Sequence, residues 1–114
     1  MIWAAPLLLA AALSTRAPDG RQALADLAYV LGQAHALRQV CDSGDQSWRT
    51  RMSRVLELEA ADVALRRRLT DAFNAGFMTE QAVYPACGPK VKAAEQAVAR
   101  KGNLLAQRLG SGPQ

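Results

Sequence analysis

The 114-residue chain predicts an all-α protein, a small up-down bundle of about four helices. Three observations carry that expectation. Half of the residues are apolar and many of those are alanine, the best helix former because it loses no side-chain entropy. Aromatic residues make up only 5% and β-branched ones are sparse, so strands have little to be built from. Apolar positions recur at three- and four-residue spacing in four stretches separated by turn formers.

The chain opens on an apolar run, Ile2 to Leu13. Its length suits the core of an export signal and falls short of the ~20 residues that span a bilayer as a helix. Cleavage after Ser14 would leave Ala12 and Ser14 as the small residues a signal peptidase reads, with cleavage after Ala12 as second choice. We therefore expect residues 1–14 to be a leader, 20–109 a single helical domain and 110–114 a disordered tail. An export signal normally begins with Lys or Arg, yet the first basic side chain here, Arg16, follows the run. We therefore expect the natural start to lie upstream of Met1. An uncleaved anchor and a buried N-terminal helix are the alternatives.

Pro18-Asp19-Gly20 reads as a turn, followed by a first helix from about Arg21 to Val40. Leu24, Leu27, Leu31, Ala34, Leu37 and Cys41 form its stripe. Gly32 sits inside it at a cost of up to ~1 kcal/mol relative to alanine, which a close helix contact would explain. Asp42 to Asp45 is a break. Asp45 or Ser47 can cap a second helix from about Gln46 to Glu59, with Trp48, Met52, Val55 and Leu56 on one face. Asp62 can cap a third helix whose stripe is Leu65, Leu69, Phe73, Gly76 and Phe77, ending at Tyr84 before Pro85. Pro89 suits the first position of a fourth helix, since its missing N–H would have no partner there. That helix carries Val91, Ala94 and Val98, weakens at Gly102, and extends through Leu104, Leu105 and Leu109.

Cys41 and Cys87 are the two cysteines. In an exported chain they meet an oxidising compartment, where paired thiols persist as a disulfide. They are not a CxxC pair. Zinc would need four ligands, and only His35 could join them as a soft or borderline one. His35 lies six residues before Cys41 and would not share its helical face well, which disfavours a Cys–His catalytic pair. Alternating helices place the end of the first helix beside the start of the fourth, where these cysteines lie.

Several segments together resemble a known family: Tyr29-Val30-Leu31-Gly32, His35, Leu37-Arg38, Cys41, Trp48-Arg49-x-Arg51-Met52, Leu56-Glu57-Leu58-Glu59, Phe73-Asn74-x-Gly76-Phe77, Tyr84 and Cys87. The chain is similar over roughly residues 24 to 95 to small exported alphaproteobacterial proteins known only as a domain of unknown function. Members are noted for two well-separated cysteines thought to form a disulfide. The resemblance implies a periplasmic or envelope location in a Gram-negative bacterium and implies no activity. The missing basic residues before the apolar run depart from an ordinary exported member.

The net charge of +4 is a mild bias, too small to imply a nucleic-acid partner and compatible with weak contact to an anionic membrane surface. Arg49, Arg51, Arg54 and Arg67 are the candidate interaction surface, able to meet an acidic partner, lipid or phosphate or simply to be a solvated face. Arg66, Arg67 and Arg68 point about 100° apart on a helix and do not make one patch. Glu57 and Glu59 diverge too, whereas glycoside cleavage needs two carboxylates facing one substrate. Asn74, beside the phenylalanine stripe, reads as a buried hydrogen-bonding residue. His35 is either packed or a sensor of acid pH. No residue pattern points to a catalytic, metal or cofactor site. The resulting expectation is a non-enzymatic periplasmic or envelope module whose partner is an envelope protein or cell-wall component. A cell-wall enzyme or enzyme accessory, and a weak binder of anionic membrane surfaces, are the alternatives.

Overall fold

The computed structural model describes residues 16–59 and 61–111; the expected leader and residues 112–114 lie outside them. Every regular element among the described residues is helical: α1 (Pro18–Cys41), α2 (Ser47–Leu58), α3 (Val63–Gln81) and α4 (Pro89–Ser111). The expected four-helix, up-down order holds. Arg38 of α1 meets Asp45 before α2 and Glu95 near the start of α4, so α1 runs antiparallel to both. Arg21 meets Asp62, and Tyr29 donates to Thr79, so α1 and α3 run parallel.

The centre of the bundle is α1. It packs most extensively on α3, then on α4, then on α2, while α2 and α3 barely touch. From Leu24 to Leu37 it is buried on almost every side, including Ala25, Ala28, Val30 and Ala36 outside the expected stripe. A helix that is apolar all round belongs in an interior. Between those two leucines the only formally charged residue is Asp26.

Two glycines seat α3 against α1. A Cβ on Gly32 would stand 2.0 Å from the Phe73 carbonyl oxygen, and one on Gly76 would stand 2.0 Å from that of Tyr29. Backbone faces backbone, so no larger residue fits at either place. The close contact expected at Gly32 is present, and α3 supplies a second glycine to it. Hydrogen bonds from Tyr29 Oη to Thr79 Oγ1 (3.0 Å) and from Gln33 Nε2 to Glu80 Oε1 (2.9 Å) hold the register.

Helix boundaries differ from expectation in three places. Pro18 begins α1 rather than a turn: the Arg21 N–H bonds the Ala17 carbonyl at 2.9 Å, and Asp19 lies in the first turn, where the helix dipole favours an acid. Pro-Asp-Gly suits a helix start as well as a turn. At its other end α3 stops at Gln81, three residues before Tyr84, because the chain must turn to carry Cys87 back to α1. Finally, α4 continues through Gly102 to Ser111, so residues 110 and 111 are helical rather than tail. Asp62 caps α3 as expected, accepting from the Leu65 N–H at 2.8 Å. Ahead of α2, Asp45 Oδ1 accepts from the Ser47 N–H at 2.8 Å.

Polar clasps close both ends of the bundle. At one end Cys41 and Cys87 are joined, with Cα atoms 4.8 Å apart, inside the range a disulfide can bridge. Beside them the half-buried Glu95 accepts from Arg38 Nε and, at 3.0 Å, from Trp48 Nε1, tying three helices together. At the other end Arg16 grips Glu59 with two bonds, of 2.8 and 3.0 Å, and donates a third to the Leu109 carbonyl at 3.0 Å. Its side chain is 12% exposed.

Candidate functional site

Because α2 and α3 both pack on α1 and hardly on each other, a groove of about 300 Å³ opens between them. Helical spacing builds each wall. Arg49, Met52, Ser53 and Leu56 face it from α2; Thr70, Phe73, Asn74 and Phe77 face it from α3. His35 of α1 lies at its base. The volume stands at the lower end of the range for small-molecule sites. The walls are mainly apolar, no carboxylate lines them, and Arg49 is their one formally charged residue.

His35 is 6% exposed, with its ring 5.8 Å from that of Phe73 and 5.5 Å from that of Phe77. Burial lowers its pKa below the ordinary 6.5, and the Arg49 charge adds to the effect against a smaller opposing pull from Asp45. The imidazole is therefore neutral at pH 7, with one nitrogen to donate and one to accept. Among the described residues its Nδ1 is the buried side-chain polar atom left without a hydrogen-bond partner. Such an atom costs about 1–3 kcal/mol, so its retention needs a reason.

A second, larger groove of about 520 Å³ lies beside the disulfide, between α1, α2 and α4. Its charges are largely engaged with its own walls. Arg38 pairs with Glu95 and Asp45, and the Arg51 guanidinium sits 4.4 Å from the centre of the Trp48 ring. Nothing buried there waits for a partner, which makes the His35 groove the better binding candidate.

The four candidate arginines do not come together. Arg49 lines the His35 groove, while Arg51 lines the disulfide groove and Arg67 a shallow surface on α3 with Val63, Ala64, Arg68 and Asp71. Arg54 is exposed on α2. The ion pairs of the described residues fall instead to Arg16, Arg21 and Arg38. Glu59 is taken by Arg16 and Glu57 is exposed, so the two do not share a substrate. Asn74 is exposed at the groove rim rather than buried, because α2 leaves that side of α3 open. Trp48 does pack inward. Among the described residues no group of three or more His, Cys, Asp and Glu side chains could hold a metal ion, and no helix is long and apolar enough to cross a membrane.

The model of a family described as "Protein of unknown function (DUF2385)" covers residues 20–111. No curated protein and no solved structure matches the chain significantly.

Proposed function

We propose that this chain, which belongs to the DUF2385 family of proteins of unknown function, is a non-enzymatic interaction module of the periplasm or envelope that binds its partner in the His35 groove. One observation carries the reading: a buried imidazole with an unpartnered Nδ1 lies under a mainly apolar groove whose single formal charge is Arg49. A disulfide across the bundle end supports the compartment, since such bonds persist where thiols are oxidised. The apolar run at Ile2 to Leu13 supports export.

Affinity capture from an envelope extract tests it, using the disulfide-bonded protein and its Arg49→Glu variant. A partner held by the first and lost by the second is the expected result. Equal retention by both, or none by either, overturns the groove as the surface that holds that extract partner. Cell fractionation with N-terminal sequencing tests the compartment. A mature chain beginning at Thr15 or Leu13 is expected, and a cytosolic protein starting at Met1 would sink export.

One observation favours a second reading, weak attachment to an anionic membrane. Leu58 and Val63 stand 76% and 78% exposed at the α2–α3 corner, on the helices that carry Arg54 and Arg67. Liposome sedimentation separates it, because electrostatic attachment fades as salt rises.

A further inference from the structure

The chemistry of the His35 groove also defines a class of ligand. We propose that it takes a small amphiphilic carboxylate of about ten non-hydrogen atoms, its acid group shared between Arg49 and His35 and its apolar body lying against Phe73 and Phe77. This rests on the groove being a binding site, and it adds the ligand's class.

Four features point the same way. The volume of about 300 Å³ holds roughly ten groups of water size, each ~30 Å³. Met52, Leu56, Phe73 and Phe77 offer apolar surface and would gain from contact with a hydrocarbon or aromatic body. No carboxylate lines the groove to repel an acid, and Arg49, exposed at its edge, forms none of the ion pairs found among the described residues. Nδ1 is unused but closed to solvent as the ring stands, so the acid reaches it only as the imidazole turns toward the groove; the neutral ring then donates one hydrogen bond to a carboxylate oxygen, while the guanidinium takes the other. A cationic ligand would face Arg49 with no counter-charge. A purely apolar one would leave Nδ1 as it is now.

The test uses the full disulfide-bonded chain and three probes of matched length: octanoate, 1-octanol and octylammonium. Binding is read by calorimetry and by the ¹⁵N shifts of the His35 imidazole. Octanoate is expected to bind about ten-fold tighter than octanol, the size of one charge-assisted hydrogen bond. Octylammonium is expected to bind weakest. Arg49→Gln, on an exposed helix surface, should erase the margin of octanoate over octanol. His35→Phe keeps a ring between the two phenylalanines and should weaken octanoate several-fold while sparing octanol. Octanol binding as tightly as octanoate, or an octanoate affinity indifferent to Arg49→Gln, would overturn the assignment. So would millimolar octanoate producing neither heat nor a shift at His35. A peptide ending in leucine that binds where octanoate does not would also overturn it, while leaving the groove standing as a protein-binding site. Should octanoate bind as expected while capture from the extract is indifferent to Arg49→Glu, the ligand class would stand and the protein partner would lie elsewhere.

Discussion

Replacing Gly32 with alanine probes the contact that organises the bundle. The new Cβ would lie 2.0 Å from the Phe73 carbonyl oxygen and 2.8 Å from its carbon, closer than the 3.0 Å that real Cβ atoms essentially never cross. The obstacle is backbone, so no rotamer change relieves it and α3 must retreat from α1 by about 1 Å. Overpacking of this kind costs about 1–3 kcal/mol, occasionally more. Against it stands a helix-propensity gain of up to about 1 kcal/mol for replacing glycine. The clash wins: we expect a net loss of about 2 kcal/mol, or roughly 10 °C in Tm for a domain of this size. Gly102→Ala is the control. There the Cβ meets only Val30 Cγ1 at 3.4 Å, an ordinary contact, so propensity should dominate and stability should rise by up to about 1 kcal/mol. Gly76→Ala should resemble Gly32→Ala. The double variant should cost less than the sum of the two, because one separation of the helices relieves both clashes. Urea and thermal unfolding followed by far-UV circular dichroism, with the disulfide intact, measure all four. A Gly32→Ala protein as stable as the parent, or stabilised like Gly102→Ala, would refute the backbone-to-backbone contact.

Four further outcomes are expected. Reducing the Cys41–Cys87 bridge, or changing both cysteines to serine, should cost about 4 kcal/mol on the chain-entropy view of its 46-residue separation, read as a fall in the urea midpoint. Arg16→Ala should cost about 1–3 kcal/mol, since it unmakes two bonds to Glu59 and one to the Leu109 carbonyl; Arg16→Lys should recover little, because an ammonium cannot reproduce the fork. His35 has a folded pKa below 6.5, from burial first and then Arg49, with Asp45 opposing; the unfolded state therefore takes up the proton first. Stability should fall as pH drops below about 6.5 and level off beneath the folded pKa, and a pH series of Tm values should show that slope weakened in His35→Phe. Glu95 is held below its ordinary 4.5: burial raises it, but the bonds from Arg38 and Trp48 and the Arg38 charge outweigh burial and a smaller upward push from Asp45. Its stabilisation is present above about pH 4.5 and lost as pH falls through the folded value, and Glu95→Gln should remove that part of the acid unfolding curve.

The candidate site was legible in pieces. His35 stands out as the one histidine, Arg49 as a cation able to meet an acidic partner, pair with a glutamate or stay solvated, and Asn74 as a polar residue beside Phe73 and Phe77. Nothing local says that these three converge, although the three-residue spacing of Trp48 and Arg51 does place that pair together on the helix. Arg49 and Arg51 are two positions apart on one helix and face different grooves, because successive residues turn by about 100°. Arg16 drew attention only as a basic residue on the wrong side of the apolar run. Its grip on Glu59, 43 positions away, leaves no local trace. Glu57 and Glu59 read as a carboxylate pair only by their closeness in sequence, whereas the partner that Glu59 engages is this distant arginine.

By itself the sequence determined what depends on neighbours along the chain. The four helices follow from periodicity, the Asp62 cap from a short side chain ahead of an apolar run, and the bridge from there being two cysteines near helix ends that alternate in direction. Only the tertiary structure decided which helix lies in the middle. Alanine is small and apolar and declares no preferred face, so α1 reads as a one-sided stripe until Ala25, Ala28 and Ala36 are seen buried beside it. Gly32 hinted at a close contact, but its meaning required Gly76 to stand opposite. That pairing draws α3 onto α1. With α2 resting on the same central helix and hardly on α3, the groove above His35 is left between them.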